Sequence, residues 1–176
     1  MDKAIKQTFH TPDINPDQYS PLTLAYMGDC AYEIVIRTLL VHKGNTHVDR
    51  LNKRASTLAK AATQSQIVGA MQDAFTEEEL SVYKRGRNAK SYTSAKNASI
   101  NDYRRATGFE ALIGWLYLKG EFERMTEIIR LGFEGIGADI LNETVKESKE
   151  SMEELWNLQK RKSLKLKKLK LRAEMR

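Results

Sequence analysis

The chain has 176 residues, the length of one domain, and 41% of them are hydrophobic, enough for a sizeable core. The net charge of +6 fits a polyanionic partner, and the one cysteine, Cys30, excludes an internal disulfide and suits a reducing compartment. No apolar run reaches the ~18 residues of a membrane span, and residues 1–6 lack the apolar core of a signal peptide, so the expectation is a cytoplasmic protein with no membrane partner.

Residues 1–19 read as an irregular arm, punctuated by Pro12 and Pro16. Ser20 is a good N-cap and Pro21 fits the first helical position, so a helix is expected from about Pro21 to His42, stopped by Lys43-Gly44-Asn45. Leu22, Ala25, Asp29, Tyr32, Glu33 and Ile36 fall on or near one face of it. A carboxylate, Asp29, sits in this apolar segment, preceded by Gly28, which costs a helix interior roughly 1 kcal/mol against Ala. A buried carboxylate needs a cation, a donor or water.

A second helix is expected to begin at Thr46, with Thr46 as its cap and Val48, Leu51, Ala55, Leu58 and Ala62 as its stripe. Thr63 or Ser65 restarts the helix, with Ile67, Val68, Ala70, Met71 and Phe75 facing inward. Thr76-Glu77-Glu78-Glu79 is a capping box opening a short helix that ends near Lys84 or Arg87. From there to Ser99 the chain reads as a basic loop. It carries Lys84, Arg85, Arg87, Lys90 and Lys96, no acid, Asn88 and several hydroxyls, with Gly86 allowing a tight turn. These residue types contact phosphate and sugar, and such a loop can enter a groove of A-form RNA.

Asn101 to Leu118 repeats the earlier design: an apolar helix bearing one carboxylate, Glu110, among small and aromatic residues. Gly108, Ala111 and Gly114 let another helix come close. Arg104 and Arg105 are placed at its first turn, where cations oppose the helix dipole and point to anion binding. Two carboxylates on two apolar helices suit a hard, oxygen-liganded cation, and Mg²⁺ is often held by one or two carboxylates with waters and substrate phosphate completing its shell. Trp115, Tyr117, Tyr26 and Tyr32 read as core or subunit interface. Phe122 to Phe133 is a further amphipathic helix, and Asp139 to Gln159 a polar, acid-rich one. Residues 160–176 hold nine Lys/Arg against one Glu, a net of +8, while the remaining 20 basic and 22 acidic residues net −2. This tail, whether helical or disordered, would add salt-sensitive RNA affinity independent of sequence.

Met27-Gly28-Asp29 resembles the L-G-D core of the ribonuclease III signature helix, and Phe109-Glu110-Ala111-Leu112-Ile113-Gly114 resembles that family's F-E-A-L-I-G motif. Their separation, with Arg85-Gly86-Arg87-Asn88-Ala89-Lys90 between, is most similar to Mini-ribonuclease III, the short form without a double-stranded-RNA-binding domain. The resemblance implies an all-α catalytic-domain-like helical bundle over residues 20–137, followed by a polar helix and basic extension over 138–176. It implies an endoribonuclease that cuts double-stranded RNA, leaving 5′-phosphate and 3′-hydroxyl ends, as a homodimer. The family's usual task is maturing precursor 23S ribosomal RNA. Asp29 and Glu110 carry over as catalytic metal ligands for Mg²⁺ or Mn²⁺, and residues 85–96 as the RNA-engaging segment. Two other family acids do not carry over, because their positions hold Ala25 and Thr107. The alternative on this scaffold is a non-catalytic RNA-binding or ribosome-associated protein. Glu33, one turn after Asp29, either assists through a bound water or forms a surface salt bridge.

Overall fold

Seven α-helices account for most of the described chain: α1 (Asp2–Phe9), α2 (Pro21–His42), α3 (Val48–Ala59), α4 (Ala61–Met71), α5 (Glu77–Arg87), α6 (Ile100–Lys119) and α7 (Phe122–Gly135). This computed structural model describes residues 2–90 and 99–138, with side chains from residue 4; no strand occurs among them. The expected polar helix and basic tail, and Lys96, lie outside the described residues.

The helix ends follow their local chemistry. Ser20 caps α2, its Oγ accepting from the Thr23 amide at 3.1 Å, with Pro21 in the first turn. Ser99 caps α6 in the same way through the Asp102 amide at 3.0 Å, and Gly120, in the left-handed region at φ 80°, ends it. The capping box at α5 is complete: the Glu79 amide donates to Thr76 Oγ1, and the Thr76 amide donates to Glu79 Oε2 at 2.8 Å.

Several expectations are corrected. The arm over residues 1–19 is not irregular, since α1 and a 3₁₀ turn at Pro16–Gln18 occupy much of it. The turn is tied to the body by Asp17, which accepts from Trp115 Nε1 at 2.7 Å. Position 47 rather than 46 is the N-cap of α3, and His47 makes no side-chain cap bond there. One extended residue, Lys60 at ψ 142°, breaks α3 from α4, so α4 starts at Ala61 and Ser65 lies buried inside it. Val48 is exposed rather than part of a packed stripe. Arg104 and Arg105 fall beyond the first turn of α6, which carries Asp102, so the dipole argument for them lapses.

The core is built around α6. Every residue from Ala106 to Tyr117 is buried, with the single exception of Glu110. It packs most extensively on α2, then on α5 and α4. Trp115, Tyr117 and Tyr32 are core, as expected, whereas Tyr26 is 77% exposed. Where α5 meets α6, a Cβ on Gly86 would lie 2.6 Å from that of Ala111 and 2.9 Å from Gly108 Cα. Gly86 therefore serves helix packing inside α5, and the expected tight turn is absent. Among the described residues, no helix is long and apolar enough to cross a membrane.

Candidate functional site

Gly28 and Gly114 decide where the two carboxylate-bearing helices meet. A Cβ on Gly28 would stand 1.7 Å from the Glu110 carbonyl oxygen, and one on Gly114 would stand 2.0 Å from the Leu24 carbonyl oxygen. The α2 and α6 backbones thus touch at a notch that only glycine permits. The helix propensity lost at Gly28 is the cost of that approach. Asp29 follows Gly28 directly, and Glu110 is itself the residue whose carbonyl closes the notch.

The two acids differ in setting. Asp29 lies at the surface, so its expected burial is corrected, whereas Glu110 is half-buried. Burial raises the Glu110 carboxyl to about 7, the Asp29 charge adds to the rise, and the Gln64 side chain opposes it. Asp29 is also raised, first by its partial desolvation and then by Glu33. The buried phenol of Tyr32 is raised by desolvation and by Glu110. Its hydroxyl donates to the Leu58 carbonyl at 3.2 Å, and its ring packs edge-on to Phe109 at 5.3 Å. For both acids burial is the larger cause and a neighbouring negative charge adds to it. Among the described residues neither Asp29 nor Glu110 takes part in a salt bridge. Glu33 does, to Arg37 one turn on, through Nε at 3.0 Å and through Nη2.

A hard divalent cation fits this donor set. Two carboxylates, one of which raises the proton affinity of the other, with no described protein cation to neutralise them, suit an oxygen-seeking ion that also takes water and phosphate oxygens. No cluster of three or more His, Cys, Asp and Glu gathers among the described residues, so the protein would supply only part of the coordination shell.

The basic candidates separate into two groups. Lys84, Arg85 and Arg87 occupy the last turn of α5, not a loop, and Asn88 is its C-cap residue. All four are exposed, as is Lys90. Cations there also complement the negative end of the helix dipole. Lys84, Arg85 and Asn88 line an open hollow with Glu77, Leu80 and Ser81. Because Gly86 packs against Gly108 and Ala111, this basic helix end abuts the turn of α6 that carries Glu110. Arg104 is exposed, separately, on the second turn of α6.

Sequence reasoning missed Gln64. It is fully buried, and its Nε2 donates to the Ala59 carbonyl at 3.3 Å. The signal was present, since Gln64 shares the inward face of α4 with Ile67, Val68 and Met71, and a polar residue on an apolar face calls for an explanation.

Comparison with known proteins bears on what these groups do. Residues 22–121 match the Ribonuclease III domain family. A Mini-ribonuclease 3 of Clostridium tetani is 54% identical over 115 residues, which is 65% of this chain and 76% of that protein. A Mini-ribonuclease 3 of Brevibacillus brevis is 47% identical over 68% of this chain and 89% of that protein. A crystal structure of a Fusobacterium nucleatum protein superposes with a TM-score of 0.61 at 30% identity, covering 67% of this chain and 91% of that one.

Proposed function

The chain belongs to the ribonuclease III family and is an endoribonuclease of its Mini-ribonuclease 3 branch; from that premise we propose that it cuts double-stranded RNA with a divalent ion, Mg²⁺ or Mn²⁺, held by Asp29 and Glu110. The observation that carries the reading is the Gly28–Gly114 notch, which sets an exposed and a half-buried carboxylate beside each other with no salt bridge to either among the described residues. When bound, the ion supplies Lewis acidity, lowering the pKa of a bound water and offsetting phosphate charge.

The chain's own residues do the rest. Glu110, set among the buried residues of α6, gives up its proton and presents an ionised oxygen at the crossing. Asp29, at the surface, presents the second. Lys84, Arg85, Arg87, Asn88, Lys90, Lys96 and Arg104 take phosphate and ribose oxygens, which positions the duplex without reading its sequence. Hydrolysis of the P–O3′ bond leaves a 5′-phosphate and a 3′-hydroxyl. The substrate is precursor 23S ribosomal RNA, and the enzyme works in the cytoplasm. It acts as a homodimer, one site per strand. Leu22, Tyr26, Cys30, Ile34 and Val41 support this assembly: all are exposed, and they recur along one side of α2 as an apolar stripe.

Asp29→Asn tests the site. The variant binds an RNA duplex as the wild type does and does not cut it in Mg²⁺ or Mn²⁺. Cleavage at the wild-type rate would remove Asp29 from the site.

A further inference from the structure

Gly69 stands in the last turn of α4, at an exposed position. Glycine disfavours a helix, so its presence there asks for a reason. Every other glycine inside a helix has one: each is pressed against the backbone, or against a short or buried side chain, of a neighbouring helix. Gly69 meets neither. A Cβ there would stand 2.9 Å from Arg105 Nη2 on α6, 3.8 Å from its Cζ and 3.9 Å from its Nη1. The space that a side chain would fill is taken by a guanidinium.

Helix packing does not require that arrangement. The end of a flexible side chain would move aside for a methyl group, and α4 would gain helix propensity. Nor does the guanidinium close an ion pair. Among the described residues Arg105 takes part in no salt bridge. Asp102, one turn back and at a spacing that allows such a pair, accepts instead from Ser99 Oγ at 2.7 Å. Arg105 is half-buried, and its guanidinium carries five N–H donors in a planar fork. A cation held in place, partly desolvated and unpaired within the described chain, suits an anion with several acceptor oxygens. Arg104, exposed beside it, is already among the groups assigned to phosphate and ribose.

We propose that Arg105 is a further contact to the phosphate backbone of duplex RNA, and that position 69 is glycine so that the guanidinium is held ready for it. The inference rests on the reading of the chain as an endonuclease of double-stranded RNA and extends its RNA-facing surface to the seam between α4 and α6. A side chain already fixed in position loses less freedom on binding. The contact is to phosphate, so it adds affinity and register without reading sequence.

The test is filter binding of an RNA duplex by the full chain across a salt series, in chelator so that no strand is cut, with thermal melting on the same samples. Arg105→Ala weakens binding and lowers the slope of log binding constant against log salt by roughly one. Gly69→Ala changes binding in the same direction and to a smaller extent, while its melting temperature stays level or rises, since alanine favours the helix. Weaker RNA binding without loss of stability is a result that a purely structural contact between Gly69 and Arg105 does not give. Arg105→Lys keeps the slope, because the charge remains, and binds less tightly than wild type, because the fork is lost. It serves as a second variant should Arg105→Ala fail to fold. Unchanged affinity and slope in folded Arg105→Ala and Gly69→Ala, with wild type binding the duplex, would overturn the proposal and leave the pair a packing contact. Failure of wild type itself to bind any RNA duplex would instead sink the functional reading, and the role of Arg105 would fall with it.

Discussion

Two glutamates are drawn into this helical bundle, and the protein treats them in opposite ways. Glu79, on α5, is only 3% exposed and fully answered from within. Arg124 grips both its oxygens, at 2.7 and 2.9 Å, and the Thr76 amide adds a third bond at 2.8 Å. Burial raises the Glu79 carboxyl, but Arg124 and Thr76 together outweigh it and hold the group below its ordinary value. Glu110, on α6, has no such partner among the described residues: burial and then the Asp29 charge raise it to about 7. The first arrangement is complete, and the second is the one to which the proposed function assigns an ion from outside. The difference teaches how to separate structural from functional acids in a helical protein: by what answers the charge, more than by depth.

Exchanging the roles experimentally gives the largest expected effects. Arg124→Met leaves the Glu79 charge buried and unpaired and destabilises the fold by about 3 kcal/mol, the lower end for such pairs because Arg124 keeps 27% of its side-chain exposure. Cleavage per folded molecule stays near wild type. Glu110→Gln does the reverse, keeping or raising the melting temperature while cleavage falls at least about a thousandfold. Denaturant melts paired with single-turnover cleavage of a duplex read both axes, and loss of activity in folded Arg124→Met would break the contrast.

A smaller effect is expected in pH dependence. The Glu110 pKa is raised from 4.5 in the unfolded chain to about 7 when folded, so the folded state holds that proton more tightly. Its contribution favours the fold on the acid side and is lost as pH rises from about 4.5 through about 7. Glu79 has the opposite sign, because its stabilisation is present above the unfolded value and is lost as pH falls through the depressed folded value. Melting curves across that range therefore fall less steeply for Glu110→Gln than for wild type. Saturating Mg²⁺ flattens the wild-type curve in the same way, since an ion takes over the charge. Parallel curves for the two proteins would place Glu110 in an unstrained setting.

The smallest effect concerns the basic end of α5. Replacing Lys84, Arg85 or Arg87 singly by Ala reduces the slope of log binding constant against log salt by roughly one per phosphate contact removed, with little change in melting temperature. A filter-binding titration measures it. An unchanged slope for all three would leave these cations as helix-end stabilisers alone.

Much of the fold was legible in local chemistry. The bounds of α2 and the capping box at Thr76 and Glu79 both depend on groups within a few residues of one another, and each was read correctly. The family motifs around Asp29 and Glu110 were legible for the same reason, being short and contiguous. Three elements were not. A fluctuating N-terminal segment and a 3₁₀ turn look alike until Trp115, far along the chain, supplies the bond that holds Asp17. Glu79 read as a cap alone because Arg124 lies 45 residues away. Gln64 was passed over because its partner, the Ala59 carbonyl, lies at the end of another helix, α3.

The sequence by itself determined an all-helical protein, the bounds of α2, the start of α5 and the two contiguous acidic motifs, because hydrogen bonding near a helix terminus and hydrophobic period act over a turn or two. Only the tertiary structure decided which acid is neutralised internally, that Asp29 stands at the surface and Glu110 is half-buried, and that Gln64 is wholly enclosed. Those outcomes depend on backbones meeting at a glycine notch, and the charge environment of a side chain is set by neighbours that proximity along the chain does not select.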